Sequence, residues 1–329
     1  MSRVKYKGPS KYNSREIALI VSLSIITVLF IILLAVLIWV SVYTDNVLAS
    51  FIFALNNENA CSSDPTICLP PMNEPPAPTV FEDGFQKSVA FFSGQVLSNF
   101  SYNLGVQTSS SFSFGLLPPL QFYTSITNGV DTRYFGFSAY DPNSRTMYLF
   151  FRGTSTNYEL RLDFQYPLVP FVEAGLPATN LVHSGFLTLF RSIKPAIKSA
   201  LVPVESTWDR IVITGHSLGG ALSSLVGTWL TKKITNKPIY IYTYGKPRVG
   251  NVQYAETVEN LFGTRYWRVE NTEDIIPQLP IPVMPNLKTK VSPFIYTQDG
   301  NLIGYTQNWG GLLRNHSLTS YIGFVKSLP

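Results

Sequence analysis

Arg210-Ile211-Val212-Ile213-Thr214-Gly215-His216-Ser217-Leu218-Gly219-Gly220-Ala221 is the stretch that decides how this chain folds. Ile211 to Thr214 is a short β-branched run of the kind that forms a buried strand. Leu218 to Lys232 reads as an apolar helix. Between them stands Gly-x-Ser-x-Gly, which leaves no room for a loop, so the serine sits on a strand-to-helix elbow of the sort that presents a nucleophile. Glycine on both sides lets the two backbones approach closely. The helix N-terminus adds backbone donors and the positive end of its dipole.

Strand and helix alternate around this turn. Ile239 to Tyr244 reads as a strand, Val252 to Leu261 as a helix and Tyr266 to Val269 as a strand. Upstream, Gly185 to Leu201 reads as a helix with a kink at Pro195. Tyr134 to Tyr140 and Thr146 to Phe151 form a hairpin about Asp141-Pro142-Asn143, and Phe81 to Leu104 has apolar residues at helical spacing. Strands separated by helices of ten or more residues predict a largely parallel sheet covered on both faces. Its chemistry belongs beyond the C-terminal ends of the strands.

A serine hydroxyl needs a neighbouring base, and the chain has 3 histidines. His216 lies inside the elbow, where its side chain points away from Ser217. His183 precedes the nucleophile, whereas a sheet of this type orders its triad as Ser, acid, His. His316 remains, in Arg314-Asn315-His316-Ser317-Leu318, at the entry to an amphipathic C-terminal segment. The acid should follow the strand that starts at Tyr266. Glu270, Glu273 and Asp274 all compete, and the residues alone do not order them.

Five blocks give the chain a resemblance to the class 3 lipases, the family of the filamentous-fungal triacylglycerol lipases. They are Phe151-Arg152-Gly153-Thr154, Val182-His183-Ser184-Gly185-Phe186, the elbow from Gly215 to Ala221, Tyr244-Gly245-Lys246-Pro247-Arg248-Val249-Gly250-Asn251, and Asn271 to Pro280. The resemblance implies an α/β-hydrolase fold with a mostly parallel sheet and helices on both faces. It selects Asp274 as the acid beside Ser217 and His316. It also implies an oxyanion hole made by Thr154 and the backbone N–H of Leu218. No cofactor and no metal enter such chemistry.

By the same resemblance Ser155 to Asp163 should form a lid. Tyr158-Glu159 replaces the expected central aromatic there, and Pro167 and Pro170 follow closely, so the lid departs from the family pattern. His183 and Arg248 are expected to pack or pair beneath the site. Leu279, Ile281, Val283 and Met284 either line an acyl cleft or belong to the core.

Before this domain, Ile17 to Thr44 contains no charged residue in 28 positions. Ile17 to Val40 as a helix would be about 36 Å long against a hydrocarbon core of about 30 Å, long enough to span with modest tilt. A cleaved signal peptide has an apolar region of only about 7–15 residues, which favours an anchor. The tail before it carries Arg3, Lys5, Lys7, Lys11 and Arg15 against Glu16, so the positive-inside rule puts residues 1–16 in the cytosol and the rest in a lumen or outside the cell. Residues 45–79 are proline-rich and read as a stalk, and the domain should span residues 80–329. Cys61 and Cys68 are expected to pair in that oxidising compartment. Asn99 and Asn315 stand in glycosylation sequons, but a glycan on Asn315 would crowd the base, so that residue is expected to be unmodified.

Of the formal charge of +5, +4 sits in that tail, leaving 20 basic and 19 acidic residues for the remainder. A nearly neutral body without a Lys/Arg run does not suit a polyanion, which excludes nucleic acid as a partner. The expected function is hydrolysis of carboxylic esters in lipids at a membrane or lipid interface. The alternatives are a phospholipase or galactolipase, which a tether would favour, and an inactive lipase fold used as an anchored binding module.

Overall fold

The computed structural model describes residues 111–114, 117–126, 135–154, 162–286 and 292–328, with Lys87, Val89, Ala90, Phe91, Ser93, Gly94, Val96 and Leu97. All belong to the compact unit Ala54–Pro329. The expected anchor at 17–44, the stalk at 45–79, both cysteines, Asn99 and lid residues 155–161 lie outside the described residues. Among the described residues no helix is long and apolar enough to cross a membrane.

The chain runs through β1 (Ser111–Phe114), β2 (Leu117–Ile126), β3 (Gly136–Asp141) and β4 (Thr146–Phe151), then a small pair, β5 (Leu168–Pro170) and β6 (Leu181–His183). Helix α1 (Ser184–Leu201) leads to β7 (Arg210–His216), α2 (Leu218–Lys233), β8 (Ile239–Tyr244), α3 (Val252–Phe262) and β9 (Tyr266–Asn271). A second small pair, β10 (Val283–Met284) and β11 (Phe294–Ile295), precedes β12 (Asn301–Tyr305), after which come α4 (Leu312–Asn315) and α5 (Leu318–Ser327).

Eight strands form one sheet in the order β1-β2-β3-β4-β7-β8-β9-β12. From β4 to β12 every pairing is parallel, as the strand-helix alternation requires. The β1 to β4 side is antiparallel, including the expected hairpin, in which Gly136 pairs with Phe151 and Asp141 with Thr146. The sheet is therefore mixed, with its parallel half carrying the elbow.

Period-two alternation sends the strand residues to two cores. Met147, Leu149, Ile211, Ile213, Ile239 and Ile241 face one layer with the buried sides of α1, α2 and α3. Tyr148, Phe150, Val212, Tyr242, Tyr244 and Val269 face the other, with Ala90, Leu97, Tyr321 and Val325. Every α2 residue from Leu218 to Leu230 is buried, so this helix is enclosed all round rather than amphipathic.

Pro195, where a kink is expected, lies within α1, which continues as one helix through it. Pro195 is on the exposed face, where water can take the carbonyl that its missing N–H leaves free.

Candidate active site

Ser217 follows β7 directly and caps α2, with φ 56° and ψ −127°. Positive φ is costly for a residue with a Cβ, and such conformations persist only where neighbours enforce them. Here the Ser217 N–H donates to the carbonyl oxygen of Tyr244 at 3.0 Å, and the Ser217 carbonyl accepts from Gly220 at 2.9 Å. A Cβ on Gly215 would stand 2.1 Å from the oxygen of Gly219, and one on Gly219 would stand 2.2 Å from that of Phe151, so no other residue fits either position. The turn seen in the sequence is thus held by backbone contact on three sides. Leu218 is the first residue of α2, where N–H groups lack intrahelical acceptors.

Thr154 lies three residues beyond β4, beside β7. Its hydroxyl donates to Asp163 Oδ2 at 2.8 Å. A Cβ on the preceding Gly153 would be 3.2 Å from Ser217 Cβ, which measures how closely this loop passes the elbow. Thr154, Ser217 and Leu218 are therefore gathered at the C-terminal ends of adjacent parallel strands.

The three acids separate cleanly. Glu270 is paired with Arg268 at 2.6 Å in the buried interior. Glu273 accepts from Asn308 at 3.0 Å on the surface. Asp274 is buried, and its Oδ2 accepts from His316 Nδ1 at 2.6 Å. The other oxygen accepts from the Ile276 N–H at 2.9 Å, and the Tyr321 hydroxyl donates to Oδ2. Burial and the neighbouring Asp274 charge push the Tyr321 phenol upward, so it stays protonated and can only donate in this contact.

His316 stands between α4 and α5, as its sequence surroundings predict. With Nδ1 committed to Asp274, Nε2 is left as the acceptor nitrogen. This Nε2 is buried and has no partner among the described residues, so it is not hydrogen-bonded to Ser217. His216 Nε2 donates to the His316 carbonyl oxygen at 2.8 Å, and the two rings lie 4.5 Å apart. Burial, with His316 alongside, pushes the His216 imidazole down to about 3.

His183 accepts from the Phe186 N–H at 3.3 Å and stacks on the Phe186 ring at 3.9 Å, away from this cluster. Burial holds it at about 3, a structural histidine as expected. Arg248 donates to the carbonyl oxygens of Gln278 and Pro280 and so fastens the loop after Asp274. Of the four apolar residues past the acid, Val283 is buried in β10 while Leu279 is 39% exposed, so they divide between core and surface. Asn315 is buried, with Nδ2 donating to the Glu273 carbonyl at 3.0 Å, which leaves no room for a glycan.

Sequence reasoning missed Tyr321, which shares Asp274 Oδ2 with His316, and a buried network behind the elbow. Lys246 Nζ, fully buried, donates to Asp299 Oδ1 at 2.8 Å and Gln298 Oε1 at 2.7 Å. Burial pulls the Lys246 ammonium down, and the Asp299 charge opposes this. Gln298 Nε2 in turn donates to the carbonyls of Lys246 and Pro277, joining the loops after β8 and β9. Among the described residues no cluster of His, Cys, Asp and Glu is arranged to hold a metal ion.

Residues 148–284 match the family lipase (class 3), a span that includes Ser217 and Asp274 and stops short of His316. The chain is 39% identical over 101 residues to secreted mono- and diacylglycerol lipase 1 of Fusarium solani, covering 30% of this chain and 29% of that one. It is 33% identical over 165 residues to the chloroplastic phospholipase A1-Igamma2 of Arabidopsis thaliana, covering 41% of this chain and 31% of that one. The matched stretches thus span about a third of these relatives' length. In fold, the chain is similar to the non-glycosylated LIP2 lipase of Yarrowia lipolytica, with a TM-score of 0.52 at 23% identity over 71% of this chain and 83% of that one. The likeness to this structure is one of fold.

Proposed function

We propose that this chain is a serine hydrolase of the class 3 lipase family that cleaves carboxylic ester bonds of lipids. The observation that carries the reading is the pairing of two features: Ser217 on a positive-φ elbow at the head of α2, and His316 Nδ1 bonded to buried Asp274. In this reading His316 Nε2 takes the Ser217 proton as Oγ attacks the acyl carbonyl. Asp274 fixes the tautomer and stabilises the imidazolium. Thr154 and the Leu218 N–H receive the negative charge that develops on the carbonyl oxygen, donors worth about 3–4 kcal/mol each in a dry site. The imidazolium then protonates the leaving alcohol, and water, activated by the same His316, releases the fatty acid and restores Ser217.

The apolar segment at 17–44 is proposed to hold the enzyme in a membrane with residues 1–16 in the cytosol and the catalytic domain on the opposite side. An enzyme tethered in this way meets bilayer lipids before oil droplets. Together with the similarity to a phospholipase A1, this supports membrane phospholipids or galactolipids as substrates alongside acylglycerols. A fluorophosphonate probe tests the chemistry. Labelling confined to Ser217, lost in Ser217→Ala, is the expected result, and a full chain that resists the probe would point to an inactive binding module. Turnover of triacylglycerol, diacylglycerol, phospholipid and galactolipid then separates the lipid classes.

A further inference from the structure

An open groove of about 600 Å³ lies between the turn after β12 and the helices α4 and α5. Its wall begins at Ser317, the residue after His316, and runs along Ser320 and Phe324 of α5 to Trp309 on the opposite side, with Arg314 at the rim. Its volume falls within the about 300–1,000 Å³ typical of sites for small organic ligands.

Its lining has the character of an amphiphile site. Phe324 stacks on Tyr305 at 4.1 Å and so presents a fixed aromatic wall. Trp309 is 43% exposed and lines the groove, so its ring is available to an apolar chain. Arg314 is exposed and makes no ion pair with any described residue. A lone guanidinium matches one planar carboxylate, which it can bind through two parallel N–H donors. Ser317 lines the same wall, and its hydroxyl offers a further donor.

We propose that this groove binds a long-chain fatty-acid anion, with its carboxylate on Arg314 and its chain between Trp309 and Phe324. The inference rests on the lipid-hydrolase reading in one respect. That reaction leaves a fatty-acid carboxylate at Ser217, and the groove starts one residue from His316. The groove is therefore a second product site, which draws the anion away from the catalytic serine while keeping it on the protein.

The test is photolabelling of the full-length chain in phosphatidylcholine nanodiscs with a dodecanoate bearing a terminal diazirine, mapped by peptide mass spectrometry. Labelling should fall between Trp309 and Ser327, persist when Ser217 has been blocked by a fluorophosphonate, and drop at least fivefold in Arg314→Gln. The uncharged dodecanol analogue should label this region at least fivefold less than the acid. Arg314 is exposed and its substitution leaves the fold intact, which hydrolysis of a short nitrophenyl ester at the unsubstituted rate would verify. Labelling that is unchanged in Arg314→Gln, equal for acid and alcohol, or abolished by blocking Ser217 would overturn the proposal. The full chain in nanodiscs failing to hydrolyse any ester while labelling persisted would sink the enzymatic reading alone.

Discussion

His216 holds His316 by its main chain: Nε2 of the residue before the nucleophile donates to the carbonyl oxygen of the proposed base at 2.8 Å. The elbow and the C-terminal helices are thereby joined at the residues to which the proposed chemistry is assigned. His216→Leu should remove that tie while keeping the apolar packing. A fall in kcat of about tenfold, with KM changed much less, is expected for the loss of one positioning hydrogen bond of about 1–1.5 kcal/mol. Unchanged kcat would mean that the bond is incidental.

The proposed base is tested by comparing two histidines. His316→Ala should lower turnover by about a thousandfold or more, close to the effect of Ser217→Ala, because triad members act as a unit. His183→Ala should reduce the yield of folded protein while the folded fraction stays active. Measured on a short-chain nitrophenyl ester after circular dichroism, the reverse pattern would overturn the assignment of His316.

Tyr321→Phe removes a donor from Asp274 Oδ2 without changing the shape of α5. Hydrogen bonds to charged groups contribute about 1.5–3 kcal/mol, so a tenfold or greater loss of kcat is expected if most of that bond serves to hold Asp274 against His316. Thermal unfolding measured in parallel separates this from a loss of folded protein.

Thr154→Val should cost about a hundredfold or more in kcat through loss of a charge-stabilising hydroxyl, and Thr154→Ser should restore most of it. Equal activity of the two variants would remove Thr154 from the oxyanion hole.

Acid should destabilise the fold through His183 and His216. Both are held at about 3, below the ordinary histidine value of 6.5, so between those limits the unfolded chain binds more protons than the folded one. Stability then rises with pH across that window and is fully present above it, with a limiting slope of about 1.4 kcal/mol per pH unit for each histidine. Urea unfolding at several pH values should show the loss, and His183→Gln should reduce the slope. A flat profile from pH 7 to 4 would contradict the burial of both rings.

The elbow was legible because its demands are local: a β-branched strand, two glycines and a helix in twelve consecutive residues. His316 followed from chain order. The choice of Asp274 over Glu270 and Glu273 required the resemblance, because all three lie within five residues, and only the turn after β9 decides which one reaches His316. Tyr321 and the Lys246–Asp299 pair were invisible for a different reason. Each meets its partner across 47 and 53 residues of chain, and a lone tyrosine or lysine in a sequence carries no mark of what it will touch. The strands β2 and β12 also escaped notice. Pro118 and Pro119 in β2 and Gly304 in β12 are residues that ordinarily argue against a strand.

The tie between His216 and His316 spans 100 residues of chain, and the base comes second. During synthesis at about 5–20 residues per second, the nucleophile therefore waits roughly 5–20 s for its partner to leave the ribosome. Throughout that interval the nascent protein carries the serine without the proposed base to deprotonate it. On the proposed reading, a hydrolase assembled in this order could not attack a bilayer during its own synthesis, and its competence would await the last helices that close over the sheet.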